Sequence, residues 1–496
     1  MCMKNRLLSA VLFFLFQGDA IASEVSQHLP AAYLTSGWGI ACVLTFIVAL
    51  ACVMLEGKLH IRKSIPVLIS AGIVWLIVGY LGQKSVSEEF AKVAFSHAFL
   101  EYGELFLFLM VAMTYVNTLQ ERGLFEWIQY KLLSYGMTYN SIFWALGLGA
   151  FFLSPVLDNL TTALVMASVA IAVAGNNAQF VSKCCVSIVV ASNAGGAFSP
   201  FGDITTLMVW NAGHVEALEF LSLFTPAFVS WFVPALCIAF SINSEKAPHG
   251  LTNEKSPLKS GAVRIIMLFV LTIIISVMGR QFFGLPSVMG MMLGLGLLKW
   301  YCHRLSRDEH TESMDASMPS FDEETYVAIQ QYYRRKHKPF DVLVSIKRVE
   351  WDTLLFFYGV VMSVAGLGAL GYLEMLSKYS YGTLGSTWAS ILVGMFSAVV
   401  DNIPVMFAVL QMSPDMTHND WLLVTLTAGI GGSMISIGSA AGVALMDFAK
   451  ITDPKTGMST KAYTFAAHLK WTPVIFAGYI CGVVVHLWTH GMPLPF

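Results

Sequence analysis

The chain has 496 residues, of which 56% are hydrophobic and only 12% are charged, a balance that excludes an ordinary soluble domain. Its mean hydropathy of +0.66 and its many apolar runs, each near the ~20 residues that cross a bilayer, predict a multi-span membrane protein. The net charge of −2, without a basic run, gives no indication of nucleic-acid binding, and the eight scattered cysteines show no metal-ligand spacing. No cofactor is therefore expected.

The first half of the chain starts with a segment that is typical of protein export. Lys4 and Arg6 precede an apolar run, which predicts a signal peptide or a signal anchor over residues 1–22. Residues 23–242 are predicted to form a first transmembrane repeat. Its spans are expected at about 37–55, 64–82, 99–118, 180–212 and 218–242. Residues 141–175 are too long for one span and are interrupted at 154–162, which predicts a re-entrant hairpin.

A polar linker over residues 243–262 leads to a second transmembrane repeat, residues 263–496. Its spans are expected at about 263–280, 285–301, 352–371, 420–446 and 465–489, with a hairpin at 387–412. The largest polar segment of the chain, a loop over residues 302–350, lies between the second and third of these spans.

Two pairs of matched motifs indicate that the halves arose by duplication. Residues 154–161 read SPVLDNLT and residues 397–404 read SAVVDNIP, so each places an Asp-Asn pair inside an apolar run with a proline nearby that breaks a helix. Downstream, residues 195–203 read GGAFSPFGD and residues 431–439 read GGSMISIGS, with three glycines in register. Two polar breaks at corresponding positions of each half are typical of a secondary transporter.

The distribution of basic residues predicts the orientation of the chain. With both hairpins re-entrant, 23 lysines and arginines fall on the cytoplasmic side, and only Lys84, Lys92, Arg280 and Lys378 fall outside. The first hairpin then enters from the cytoplasm, the second enters from outside, and the C-terminus lies outside. The predicted fold is an all-α polytopic membrane protein, an inverted repeat of five spans plus one re-entrant hairpin per half, with helices broken at mid-membrane.

The side chains at the breaks suit a small cation. Carbonyl ends of half-helices, carboxylates, amides and hydroxyls are hard oxygen ligands, and no lysine or arginine is predicted in the core of a span. Candidate ligands from the first half are Ser154, Asp158, Asn159, Thr161, Thr162, Asn193, Ser199, Asp203, Thr205 and Thr206. Candidates from the second half are Ser397, Asp401, Asn402, Ser433, Ser436 and Ser439.

Three carboxylates without a fixed counter-ion, Asp158, Asp203 and Asp401, cannot all stay ionised in a low-dielectric cavity. At least one should hold a proton when no metal ion is bound. An entering cation such as Na⁺ would displace that proton, which is antiport in its simplest form.

Simpler interpretations of the same residues stay open. An Asp-Asn pair can be a helix cap, and glycine repeats in membrane helices can be close-packing faces. Glu104 is either an interfacial anchor or a proton relay. His97 and His214 are either solvated side chains at the outer edge or pH sensors.

At these motifs the chain resembles the NhaD-type sodium/proton antiporters of bacteria, within the larger ion transporter superfamily. The resemblance rests on residues 154–162 (SPVLDNLTT), 192–206 (SNAGGAFSPFGDITT), 350–353 (EWDT) and the pair Asp401-Asn402. The similarity extends over nearly the whole chain. The second half has Ser439 where the first has Asp203, so the two breaks need not contribute equally.

The resemblance implies exchange of cytoplasmic Na⁺ or Li⁺ for external H⁺, activated at alkaline pH, in the inner membrane of a bacterium. It implies that His97 and His214 are tied to the pH response. A homodimer stays open, and the lipid bilayer is the expected surrounding. The residues to which it gives roles are Ser154, Asp158, Asn159, Asn193, Asp203, Thr205, Thr206, Ser397, Asp401, Asn402, Ser436 and Ser439.

Two other functions compete with antiport. A symporter of the same superfamily would carry a carboxylate or an oxyanion with Na⁺, bound by hydroxyl and amide donors, but three acidic residues disfavour it. An intramembrane aspartyl protease would need an acid dyad such as Asp203 with Asp158 or Asp401. The usual Gly-x-Gly-Asp signature is absent because position 200 is proline.

Overall fold

The computed structural model describes residues 28–87, 89–133, 137–174, 177–242, 245, 258–317, 342–452 and 459–493. The predicted signal segment lies outside the described residues, as do most of the linker and residues 318–341 of the long loop. The described chain is almost entirely helical, which confirms an all-α protein.

The helices of the first half follow the predicted spans closely. They begin after a short 3-10 turn, Ala31–Tyr33, and a second 3-10 turn, Glu219–Leu223, precedes the last of them. Their bounds are α1 Gly37–Met54, α2 Glu56–Leu59, α3 Ser64–Ser85, α4 Phe90–Glu121, α5 Leu124–Leu133, α6 Tyr139–Leu157, α7 Asn159–Ala174, α8 Ala178–Gly196, α9 Ile204–Ala212 and α10 Phe224–Ala239.

The second half adds eleven described helices and a small antiparallel ribbon that the sequence did not predict. The helices are α11 Ala262–Phe283, α12 Ser287–Ser317, α13 Val342–Lys347, α14 Trp351–Ala369, α15 Tyr372–Leu384, α16 Ser386–Ser397, α17 Asn402–Met412, α18 His418–Gly431, α19 Ala440–Phe448, α20 Phe465–Leu469 and α21 Thr472–Thr489. The ribbon pairs β1 Lys450–Thr452 with β2 Ser459–Lys461.

Eight helices in the described part of the chain are long and apolar enough to cross a membrane, which confirms a polytopic membrane protein. They are α1, α3, α4, α6, the stretch Glu219–Ala239, α11, α14 and α21. Helices α5 and α15 were not predicted, and each lies between the third span of its half and the hairpin. The predicted last span is two helices, α20 and α21.

The order of the main helices after the third span is the same in both halves, although a 3-10 turn precedes the final span of the first half, and the ribbon and α20 precede that of the second. A short helix is followed by an interrupted pair (α6–α7 or α16–α17), a second interrupted pair (α8–α9 or α18–α19) and a final span (α10 or α21). The opposite orientation of the halves stays a prediction.

The prolines lie beside the breaks and not at them, which corrects the prediction. Pro155 lies inside α6, which continues to Leu157, and the chain breaks at Asp158. Pro404 lies in the first turn of α17, where its missing N–H costs no hydrogen bond. A break near each motif is nevertheless observed.

The chain divides into two compact units, and each unit contains segments of both halves. The first unit comprises residues up to Gly103, Asp352–Ala389 and Met406–Asp415. Its core includes Leu29, Cys42, Val74, Val78, Leu81, Leu367 and Leu370. In this unit Trp75 Nε1 donates to the main-chain oxygen of Met362 at 2.8 Å, which ties α3 to α14.

The second unit comprises Glu104–Trp351, Ser390–Val405 and Met416–Phe496. It contains every predicted site residue except His97. Helix α8 is its central element, buried along most of its length and packed against α6, α7 and α10. The final spans of the two halves, α10 and α21, pack against each other.

Candidate functional site

Equivalent hydrogen bonds show that the two sets of breaks share one backbone design. Ser154 Oγ donates to the main-chain oxygen of Ser192 at 2.6 Å, and Ser397 Oγ donates to that of Ala428 at 2.8 Å. The offsets between the halves are those of the two sequence motifs. The duplication seen in the sequence therefore extends to individual side-chain contacts.

The paired glycines fill equivalent positions in this design. A β-carbon at Gly195 would overlap the carbonyl of Phe151, and one at Gly431 would overlap the carbonyl of Gly394. These two glycines let the second interrupted pair approach the first without a gap. The close-packing interpretation of the glycine repeats is thus the observed one.

Asp203 lies at the start of α9 and caps it. Its side chain accepts a hydrogen bond from the main-chain N–H of Thr205 at 3.1 Å, and it is only 3% exposed. Thr206 Oγ1 donates to the main-chain oxygens of Asp203 and Ser199, which closes the turn before the helix. The break and the first turn of α9 thus fix the position of the carboxylate.

Amides from both halves converge on the Asp203 carboxylate. Asn159 Nδ2 donates to Asp203 Oδ2 at 3.0 Å and also to Asn193 Oδ1 at 3.1 Å. Asn402 Nδ2, from the second half, lies 3.0 Å from Asp203 Oδ2 and 3.3 Å from Oδ1. In the described part of the chain the partners of Asp203 are amides and a main-chain N–H, without a lysine or an arginine.

Polar atoms without hydrogen-bond partners occur in the same elements. Among the described residues these include the buried atoms Thr162 Oγ1, Asn193 Nδ2 and Thr205 Oγ1. A β-carbon at Gly429 would lie 3.9 Å from both Asp203 Oδ2 and Thr205 Oγ1, so the missing side chain leaves room beside these two oxygens. A buried polar atom without a partner is unfavourable, and an added ligand would relieve it.

Asp158 occupies a different environment, at the break between α6 and α7. Its backbone has φ 66° and ψ 161°, a region that residues other than glycine rarely adopt, at a cost of about 1–3 kcal/mol. Its carboxylate accepts from Thr161 N at 2.8 Å and from Thr161 Oγ1 at 2.9 Å. In this conformation Asp158 caps the start of α7, and the charge of Glu350 acts on it.

Of the other predicted ligands, one lies near Asp203, and several make hydrogen bonds that stabilise their own part of the fold. Asp401 lies near enough for its charge to act on Asp203. Ser439 caps α19 by accepting from Gly442 N at 3.2 Å, and Ser436 Oγ donates to Met446 Sδ at 3.3 Å. The structure thus brings together Asp203, Asn159, Asn193, Asn402 and Thr205, and it gives Ser154, Ser397, Ser436 and Ser439 bonds within their own halves.

The predicted proton-relay and pH-sensing residues each have their own surroundings. Glu104 is partly buried in α4, where the charge of Arg280 acts on it. His214 follows α9 and stacks on Trp421 with ring centroids 3.8 Å apart, and its partial burial lowers its pKa below the usual value. His97, in the first unit, is exposed and lies 3.5 Å from Glu101.

Comparison with known proteins identifies the family. A family profile described as citrate transporter (CitMHS) matches residues 31–431. The Na⁺/H⁺ antiporter NhaD of Alkalimonas amylolytica is 47% identical over 488 residues, which are 97% of this chain and 96% of that protein. NhaD of Vibrio cholerae is 49% identical over 477 residues, 95% of this chain and 96% of that protein. The chain belongs to the NhaD-type Na⁺/H⁺ antiporter family.

A plant protein is also similar to the chain. Sodium/proton antiporter 1 of Arabidopsis thaliana is 30% identical over 487 residues, 95% of this chain and 76% of that protein. The resemblance inferred from the motifs is therefore confirmed. The family consists of transporters and not of enzymes, which agrees with the expectation that the chain is not an enzyme.

Sequence reasoning missed two residues of this NhaD-type protein that the structure places at the site or behind it. Gly429 is the second-half counterpart of Asn193, a match that the offset between the glycine motifs could have given. Arg280 was predicted at the outer end of a span, and the structure shows it half-buried in the last turn of α11. Its position in the last turn of an apolar helix carried no signal of a buried contact.

Proposed function

We propose that the protein is a secondary antiporter that exchanges cytoplasmic Na⁺ or Li⁺ for external H⁺. The observation that carries the proposal is the buried Asp203 carboxylate, which receives amides from both halves and has no lysine or arginine as a hydrogen-bond partner among the described residues. A carboxylate in such a place binds either a proton or a small cation. The bacterial and plant relatives are named as antiporters of Na⁺ and H⁺, which supports exchange of Na⁺ for H⁺.

The cation is held by hard oxygens around Asp203. Thr162 and Thr205 lie in the elements that meet here, and their unpartnered hydroxyl oxygens provide further ligands, while Asn193 Oδ1 accepts from Asn159. Asp401 adds a second negative charge, and Asp158 a third at the neighbouring break. The remaining family positions, Asn159, Thr161, Thr206, Asn402, Ser154, Ser397, Ser436 and Ser439, bind the ion or shape its surroundings.

Competition between cation and proton for these carboxylates gives the coupling. Because the charge of Asp401 acts on the buried Asp203 carboxylate, binding of Na⁺ favours loss of a proton, and protonation favours loss of Na⁺. Glu104 serves as a relay for the proton, and His97 and His214 modulate the response to pH. The protein thereby contributes to sodium and pH homeostasis.

The membrane arrangement belongs to the same proposal. The two repeats are inverted, the hairpins enter from opposite faces, and the C-terminus lies outside the inner membrane of a bacterium. Single cysteines at Asn177 and Thr417, each at the start of the helix after a hairpin, should react with an impermeant reagent from opposite sides. Labelling of both from one side would contradict the inversion.

Carboxylate symport is the second candidate, since the matching profile is described as citrate transporter. A carboxylate substrate needs donors that are not already engaged. Both asparagine amides that face Asp203 donate to it, which leaves Asn193 Nδ2 and the hydroxyls of Thr162 and Thr205. A symporter would also require the bound anion to lie beside Asp203, whose charge repels it. We therefore favour antiport.

Inverted membrane vesicles separate these functions in one experiment. With an imposed acid interior, addition of Na⁺ or Li⁺ should collapse the pH difference, and addition of citrate should not stimulate ²²Na⁺ uptake. Citrate-dependent ²²Na⁺ uptake without proton movement would favour the symporter instead. Vesicles from cells without the protein serve as the control.

A further inference from the structure

The helix that carries Asp203 is also held at its other end. Helix α9 has only nine residues, so at 1.5 Å per residue Asp203 lies about 14 Å from Ala212. Gly213, with φ 81°, ends the helix, and its N–H bonds to carbonyls of the last turn. Among the last carbonyls, that of Asn211 accepts a hydrogen bond from Arg280 Nη2 at 2.9 Å.

Arg280 fits the end of α9 in several ways. Its guanidinium lies 5.3 Å from the ring centroid of Trp210, close enough for a cation–π contact. A β-carbon at Gly213 would lie 3.6 Å from Arg280 Nη2, so the guanidinium covers the helix end. The negative end of the helix dipole favours a cation at this place.

A second residue holds the same asparagine. Ser287 Oγ, at the start of α12, donates to Asn211 Oδ1 at 2.7 Å. Ser276 Oγ in turn donates to the main-chain oxygen of Ser287 at 2.6 Å, which ties α11 to α12. Both oxygens of Asn211 are thus bound by the junction of α11 and α12, the first two helices of the second half.

The charged groups around Arg280 come from two other elements. Glu104 in α4 and Glu216 in the segment after α9 both act on the guanidinium through their charges. His214 is the further titratable side chain in that segment, and it stacks on Trp421 of α18. Arg280 therefore contacts the end of α9 and is subject to the charges of two carboxylates.

We propose that Arg280 is a positioning residue for the ion site, and this rests on the proposed function. A short helix moves as a rigid body, so release of its C-terminal end displaces Asp203 at its N-terminal end. The bonds from Asn159 and Asn402 to Asp203 are 3.0 Å long, and a shift of less than 1 Å breaks them. The junction of α11 and α12 thereby sets the affinity of the site for the cation.

The test compares variants by the sodium dependence of their antiport, measured in vesicles. Arg280→Ala should raise the sodium concentration for half-maximal antiport about tenfold, because a charge-assisted hydrogen bond is lost. Arg280→Lys keeps the charge and a donor. On a logarithmic scale, the half-maximal sodium concentration should therefore rise by no more than half as much as in Arg280→Ala. Ser287→Ala should raise the same concentration about two- to threefold.

Arg264→Ala is the matched control, since Arg264 lies in the first turn of the same helix and is exposed. It should leave the sodium dependence unchanged. If Arg280→Ala lowers only the amount of protein in the membrane, with an unchanged half-maximal sodium concentration, Arg280 is structural and the inference is wrong.

A binding measurement separates this inference from the proposed function. Purified wild-type protein should gain thermal stability with rising Na⁺, and Arg280→Ala should need about tenfold more Na⁺ for half of that gain. If wild-type vesicles move no protons although the purified protein binds Na⁺, antiport is wrong while the binding shift still decides the role of Arg280. If the wild type and Arg280→Ala need the same Na⁺ concentration for half of the gain, the positioning role of Arg280 is wrong.

Discussion

The two interrupted helix pairs α8–α9 and α18–α19 have the same backbone but different chemistry. Asp203 and Ser439 cap the second helix of each pair with nearly equal backbone angles, φ −144° and ψ 149° against φ −142° and ψ 148°. Where the first pair has Asn193, Thr205 and Thr206, the second has Gly429, Ala441 and Gly442. Each helix pair is therefore an equivalent backbone frame. Only the first frame, α8–α9, carries a carboxylate with polar neighbours, and the second frame, α18–α19, does not.

The hairpins differ in a related way. Asp158 is capped by the main-chain N–H and the hydroxyl of Thr161, and the counterpart of Thr161 is Pro404, which has neither group. Asp401 therefore cannot be held in the manner of Asp158. Both hairpin asparagines, however, donate to the same carboxylate, Asp203. The site thus combines two equivalent donors, Asn159 and Asn402, with one acceptor, Asp203, that occurs only in the first half.

The largest effect is expected where the two frames are made alike. Asp203→Ser gives the first break the side chain of the second, removes the acceptor of both amides, and should abolish Na⁺-dependent proton movement in vesicles. The double variant Asp203→Ser with Ser439→Asp should stay inactive, because the second frame has no counterparts of Asn193 and Thr205. Recovery of transport in the double variant would show that the frames are interchangeable.

Asp158→Asn tests whether the first hairpin contributes a charge or only a cap. The amide oxygen still accepts from Thr161, so α7 should keep its start, but the titrating charge is lost and antiport should fall at least about a hundredfold. Thr161→Val keeps the charge and removes the hydroxyl donor, and it should lower activity less. Normal proton release by Asp158→Asn, at equal protein amount, would assign Asp158 a structural role.

The symmetric donors are compared by removing them singly. Asn402→Ala and Asn159→Ala should each raise the half-maximal sodium concentration about tenfold or more, because each removes a hydrogen bond to a charged group worth about 1.5–3 kcal/mol. Asn402 makes two contacts with Asp203, so its loss should be the larger. Sodium titrations of both variants at one pH decide which loss is larger. A larger effect of Asn159→Ala would contradict this expectation.

Gly429→Ala fills the space opposite Asn193 without a clash, since the new β-carbon meets Asp203 Oδ2 at 3.9 Å. The protein should insert normally, and the half-maximal sodium concentration should rise about threefold through loss of room for the ion. Gly195→Ala is the contrasting variant, because its β-carbon overlaps the carbonyl of Phe151 and should reduce the amount of folded protein. An unchanged sodium dependence in Gly429→Ala would place the ion elsewhere.

The smallest effect is expected for the histidines, both of which belong to the first half. Burial lowers the pKa of His214, so this side chain stays neutral as pH falls through 6.5 and gains its proton only at lower pH. His214→Gln and His97→Gln should each shift the pH profile of antiport by less than about one unit. A maximal rate that collapses at low pH despite saturating Na⁺, and recovers in a histidine variant, would show a separate histidine switch.

Much of the helical order was predictable from the sequence, since long apolar runs have few alternatives to a membrane helix. The missed helices α5 and α15 are shorter and less apolar, and their ends carry no signal as strong as a span boundary. The contact of Arg280 was missed because hydropathy gives a charge at a helix end no partner within the protein. Its burial depends on a contact with Asn211, 69 residues earlier.

The sequence by itself determined the duplication, the positions of the breaks and the three carboxylates. Repeated motifs, prolines and charged residues within apolar runs can all be recognised in the chain without knowledge of its packing. Only the tertiary structure decided that Asp203 collects the amides while Asp158 caps a helix. The donors Asn159 and Asn402 lie 44 and 199 residues from Asp203, and packing of α7, α9 and α17 brings them together. Hydrogen bonds between distant segments depend on packing, which no local pattern in the sequence encodes.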